Sequence, residues 1–153
     1  MTAHAEIMKL LNRYCRAIDT AKFDSFVDLY EKATWTTPGA PIFKGREEIT
    51  KQIIERIILY EDGTPRTKHV MTNVDLDINE ADGTAQGQRY ITIFQATENL
   101  PIQAIFSAHY FDVFVKDDGH WRFQSTRMEY ALMGDMTHHI RLDENGGEHV
   151  AAG

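Results

Sequence analysis

The sequence predicts an α+β fold, in which helices come first and a mostly antiparallel sheet follows. Three observations predict it. Helical apolar stripes crowd the first half, long alternating stretches fill the second, and short Gly-containing turns join those stretches. Helices and strands segregated in this way make α+β layers rather than alternating βαβ units. The 153 residues suit a single domain.

Ile7, Leu10, Leu11, Tyr14, Ala17 and Ile18 recur every three or four residues and mark a first amphipathic helix. Phe23, Phe26, Val27 and Tyr30 mark a second, which Asp19 or Thr20 could cap. A short strand over 33–37 runs into the turn residues 38–41. Gly45 precedes a third helix, with Ile49, Ile53, Ile54, Ile57 and Ile58 as its stripe, stopped by Asp62-Gly63-Thr64-Pro65. Four long strands then follow, over 69–78, 85–97, 102–116 and 121–131. Their turns are Ala81-Asp82-Gly83-Thr84, Glu98-Asn99-Leu100-Pro101 and Asp117-Asp118-Gly119-His120. The domain is expected over residues 1–133, and the polar tail 134–153 is expected to be partly flexible.

In the third long strand, Phe106, Ala108, Tyr110, Asp112 and Phe114 share one face. Ile105, Ser107, His109, Phe111, Val113 and Val115 share the other. Both faces are greasy, so both need cover. The helices cover one. A second copy of the chain on the convex face is the expected cover of the other, giving a homodimer or higher homo-oligomer.

A net charge of −7 works against nucleic acid and anionic membrane as partners. Cys15 stands alone, no run approaches a membrane span, and residues 1–6 lack a secretory pattern, so a cytoplasmic protein is expected. No phosphate loop or dinucleotide fingerprint appears. His138, His139 and His149 lack metal-ligand spacing, and no metal site is expected.

His69 opens the first long strand and shares a face with Met71 and Asn73. An imidazole there can act as a base near neutral pH if a carboxylate orients it, and Asp19 is available at the helix junction. The plainer reading makes His69 a strand-end histidine and Asp19 a helix cap. Tyr14 and Trp35 read as core rings or as pocket walls. His109 reads as a buried or a pocket histidine. Arg127, counted onto a face with Trp121, Phe123, Ser125 and Glu129, reads as an ion-pair partner of Glu129 or as a pocket cation.

Three segments carry a family resemblance: Tyr14-Cys15-Arg16-Ala17-Ile18-Asp19; Ala33-Thr34-Trp35-Thr36 with Phe43-Lys44-Gly45-Arg46-Glu47-Glu48-Ile49; and Thr67-Lys68-His69-Val70-Met71-Thr72-Asn73-Val74. With Asp118-Gly119-His120-Trp121-Arg122-Phe123, they make residues 4–131 resemble the SnoaL-like branch of the NTF2-like superfamily. The resemblance implies a cone, three helices packed on a curved, mostly antiparallel sheet. It is similar to scytalone dehydratase, bile-acid dehydratase and hexachlorocyclohexane dehydrochlorinase. It implies a cofactor-free lyase of dehydratase type, with His69 as base, Asp19 as orienter and Tyr14 as hydrogen-bond donor. Trp35, Met71, Asn73, His109 and Arg127 would line a pocket for a hydrophobic cyclic molecule. The same layout would serve an isomerase or a polyketide cyclase. The fold also serves as a non-catalytic ligand-binding domain or as the small scaffold subunit of ring-hydroxylating dioxygenases.

Overall fold

The computed structural model describes residues 1–141. Helix α1 (Ala3–Asp19) starts where the Thr2 hydroxyl accepts the Ala5 N–H at 3.2 Å. It buries Ile7, Leu11, Tyr14, Cys15, Ala17 and Ile18 against the sheet. It stops in a left-handed turn. Ala21 has φ +55, its N–H donates to the Ile18 carbonyl, and the Lys22 N–H donates to the Ala17 carbonyl at 2.8 Å. Glycine usually fills that position because a Cβ crowds it.

Helix α2 (Phe23–Val27) and a 3₁₀ turn, Asp28–Tyr30, lead to strand β1 (Thr34–Thr36). Strand β2 (Phe43–Lys44) and helix α3 (Gly45–Gln52) follow. The isoleucine stripe predicted a helix through Ile58. Instead α3 ends at Gln52, a 3₁₀ turn covers Ile54–Arg56, and Ile57 bridges to Ile140. Crowded β-branched side chains favour helix weakly. Their backbone is claimed from outside: the Ile58 N–H donates to the His139 carbonyl, and the Arg141 N–H to the Arg56 carbonyl, each at 2.8 Å.

Strands β3 (Thr67–Asn79), β4 (Thr84–Thr97), β5 (Leu100–Asp117) and β6 (His120–Met133) form an antiparallel meander. β1 lies parallel to β6, and β2 antiparallel to β1. The order is β2-β1-β6-β5-β4-β3, an unclosed sheet with β3 at one edge. The three helices cover its inner face, where Ile91, Ile93, Phe106, Tyr110, Phe114, Phe123 and Met128 are buried.

Several register shifts interrupt strict alternation, and two of them move candidate site residues. In β3 the register slips between Thr72 and Asp75, and Asn73 takes φ +53. In β6, Phe114 faces Phe123 while Val113 faces Ser125, so Gln124 is the extra residue. Buried positions therefore run Trp121, Phe123, then Thr126 and Met128. A one-residue insertion moves every later side chain to the other face.

The tail, expected outside the domain from residue 134, packs back onto it. Met136, His139 and Ile140 are buried. The His138 carbonyl accepts from Gln95 Nε2 at 2.9 Å and from the Tyr60 hydroxyl at 2.5 Å. The packed unit thus runs at least to residue 141, and the expected frayed end lies outside the described residues. Among the described residues, no helix is long and apolar enough to cross a membrane.

Replacing Ala21 by glycine relieves the left-handed turn that ends α1. Ala21→Gly is expected to raise unfolding free energy by up to about 1 kcal/mol in urea titration. A loss of stability would contradict this account of the turn.

Candidate active site

Asp19 is the last residue of α1, where the helix dipole disfavours a carboxylate. Three donors compensate. Asp19 Oδ1 accepts from the Thr67 hydroxyl at 2.8 Å and lies 2.6 Å from His69 Nδ1. Its Oδ2 accepts the His69 backbone N–H at 2.8 Å. That N–H lies on the free side of edge strand β3, so the carboxylate also occupies an otherwise open edge. Burial pushes the Asp19 pKa up, but the His69 hydrogen bond and charge, with the Thr67 hydroxyl, outweigh it and hold it below the usual 3.8. An ionised Asp19 is an acceptor only, so Nδ1 carries the proton and Nε2, across the ring, is the basic nitrogen.

The imidazole is fully buried, its ring centroid 6.5 Å from that of Tyr14 and 6.3 Å from that of His139. Tyr14 stacks on Trp35 at 5.8 Å and meets Tyr110 edge-on at 6.3 Å. All three rings are fully buried. Where an open apolar cone was expected, these rings pack on one another. A cleft of about 470 Å³ reaches the dyad from its Asp19 side, lined by Thr20, Arg66, Thr67, Lys68, Phe94 and Ile102 among others.

An ion pair unmarked by the sequence reading lies inside the same cluster. Arg89 Nε donates to Asp112 Oδ2 at 2.7 Å, and Nη2 to Oδ1 at 3.3 Å. Asp112 Oδ1 also accepts the Thr126 hydroxyl at 2.7 Å. Thr126 has a single proton, so Tyr30 must donate in their 2.9 Å contact. Burial alone would lower the Arg89 pKa, but the Asp112 carboxylate beside it raises it and keeps the guanidinium charged. Arg89 Cζ sits 4.4 Å from the Tyr14 ring centroid and 5.3 Å from that of Tyr110.

Four buried polar atoms here meet no hydrogen-bond partner of standard geometry: Arg89 Nη1, the Tyr14 and Tyr110 hydroxyls, and Trp35 Nε1. The Tyr14 hydroxyl still lies near enough to Tyr110 to offset part of the pKa rise that burial gives it. Each unsatisfied group costs about 1–3 kcal/mol. Burial also pushes the Cys15 thiol up to about 11, which disfavours a nucleophilic thiolate.

The structure brings His69, Asp19, Tyr14 and Trp35 together, with Met71 half-buried on the inner face two residues beyond His69. It does not bring the others. Asn73 sits on the β3 bulge and is exposed. Arg127, flipped outward by the β6 bulge, pairs with Glu129 and lies over the Phe111 ring. His109 lies on the outer face, 3.1 Å from Gln88 Oε1 and against Phe111. His139 was set aside for want of metal-ligand spacing, and the tail fold places it beside the dyad. Arg89 stands in the inward run Ala85, Gly87, Arg89, Ile91, Ile93, and that misplaced charge was the signal available for it.

A family model described as the SnoaL-like domain matches residues 1–127. The chain belongs to the SnoaL-like family. No curated protein matches this SnoaL-like chain. Solved structures share its fold. A function-unknown protein of Mycobacterium tuberculosis is 21% identical with TM-score 0.66, covering 90% of this chain and 72% of its own. An NTF2-like protein with a cystatin-like fold from Novosphingobium aromaticivorans is 16% identical with TM-score 0.68, covering 82% and 79%. A hexachlorocyclohexane dehydrochlorinase of Novosphingobium barchaimii is 22% identical with TM-score 0.63, covering 86% and 89%. At these identities the likeness is one of fold. It establishes the NTF2-like architecture expected of a SnoaL-like domain.

The depressed Asp19 pKa has a sign. The unfolded chain binds the proton more readily, so stability is present above the unfolded value near 3.8 and is lost as pH falls through the lower folded value. Asp62, Asp117 and Asp135 share the direction, so a variant must isolate Asp19. In this SnoaL-like domain, Asp19→Asn is expected to flatten the fall in urea midpoint below about pH 4. An unchanged slope would contradict the pairing.

Proposed function

We propose that this protein is a cofactor-free acid–base enzyme of dehydratase type acting on a hydrophobic cyclic molecule. One observation carries the reading: the Nδ1 of a buried imidazole lies 2.6 Å from a largely buried carboxylate. Neutral His69 takes a proton from carbon beside a carbonyl, through Nε2. Asp19 holds the tautomer and offsets the charge of the imidazolium, which the C-terminal end of α1 also favours. Tyr14 donates to the carbonyl or to the departing hydroxyl. The fold likeness to a dehydrochlorinase supports elimination as the outcome.

Proton abstraction can be read without knowing the product. Wild-type protein is expected to accelerate hydrogen–deuterium exchange beside the carbonyl of a fused bicyclic ketone such as 2-tetralone in D2O, followed by NMR. His69→Gln should lower that rate by about 100-fold or more. No acceleration by wild type, or equal rates in the variant, would contradict the reading.

A second copy of the chain is the proposed partner. Tyr90, Tyr130 and Leu132 stand exposed on the outer sheet face around half-buried His109 and Phe111. Sedimentation velocity is expected to give a dimer or larger species, and Leu132→Glu with Tyr130→Glu a monomer. A monomeric wild type would overturn this.

A further inference from the structure

Arg89 is buried against Tyr14, yet proton abstraction by His69 gives it no task. Its bonding is decided by elimination. Asp112 accepts from Nε, Nη2 and the Thr126 hydroxyl. Thr126 receives from Tyr30. The chain of donors therefore ends at Arg89 Nη1, which has protons left and no acceptor. The Tyr14 and Tyr110 rings lie against the guanidinium, with Cζ 4.4 Å and 5.3 Å from their centroids, and attract its charge.

Three further unpartnered atoms belong to rings packed around it: the Tyr14 and Tyr110 hydroxyls and the Trp35 indole N–H. The indole and guanidinium can only donate. Even a bond between the two hydroxyls leaves one hydroxyl proton spare. The cluster is rich in donors and poor in acceptors. The Arg89–Asp112 pair is neutral overall, so the complement is one negative oxygen rather than a phosphate dianion.

We propose that Arg89 Nη1, Tyr14, Tyr110 and Trp35 form an oxyanion-binding pole that takes a phenolate or enolate oxygen of the substrate. The pole deepens the acid–base reading and rests on it for its role in turnover. When His69 Nε2 takes the proton, the C–H electron pair becomes the carbon–carbon double bond. The carbonyl π pair moves onto oxygen, and that oxygen takes the spare N–H and O–H donors of the cluster. Asp112, Thr126 and Tyr30 act through Arg89 and are positioning residues.

The test uses 4-nitrophenol, which has no acidic carbon and needs no base. Titrated into the full-length protein and read by phenolate absorbance, it is expected to bind as the anion, with its apparent pKa lowered by about one unit. Tyr110→Phe and Trp35→Phe keep an aromatic ring and should each weaken binding about tenfold. Arg89→Met combined with Asp112→Leu removes the charge without stranding its partner, and should abolish the pKa shift. Absence of binding, an unshifted pKa, or unchanged affinity in the single-ring variants would overturn the pole. If ketone exchange fails while these results hold, the base assignment falls and the pole stands.

Discussion

A single carboxylate joins the two halves of this chain. Asp19 ends the helix that covers the sheet, and it accepts three hydrogen bonds from the start of the edge strand. The bond to the His69 backbone fixes where α1 meets β3. The bond near Nδ1 fixes which way the imidazole turns. Neither works if the carboxylate is protonated, because a neutral acid has one acceptor position fewer. A carboxylate at a helix C-terminus is electrostatically misplaced, and the left-handed alanine that ends the helix adds strain beside it. Local cost of both kinds at one junction is the pattern expected of a site kept for chemistry rather than for stability.

The interior shows the same imbalance. Tyr14, Trp35 and Tyr110 could fill this space equally well without polar atoms. They instead enclose a charged pair whose one satisfied side is organised by Asp112, Thr126 and Tyr30. Removing either charge alone would leave the other buried and uncompensated, at about 3–5 kcal/mol. The dyad and the guanidinium both lie against the Tyr14 ring, the imidazole centroid 6.5 Å and the guanidinium carbon 4.4 Å from its centroid. The Met136–Ile140 segment is tied down beside the dyad through the His138 carbonyl and the Ile57–Ile140 bridge.

Much of this was readable from residue order, and the failures have physical causes. The stripe of α1, the four long strands and their turns follow from periodicity, and each appears near its expected place. The His69–Asp19 contact needed the family resemblance, because nothing local links residues so far apart. Alternation failed at bulges, two of which bear on the site: the extra Gln124 carried Arg127 outward, and the slip at Asn73 took that side chain from the site. The third helix failed because its isoleucines found strand-like partners in the tail. His139 entered through that same tertiary contact. Arg89 and Asp112 were visible as charges on inward registers, and they gain meaning only once β4 and β5 pair.

The central claim concerns one proton. NMR of protein labelled with nitrogen-15 at histidine resolves the ring nitrogens of His69 near neutral pH. The account predicts a proton on Nδ1, shifted far downfield by Asp19, with the shift lost in Asp19→Asn. A ring protonated on Nε2 alone, or one indifferent to residue 19, would contradict it.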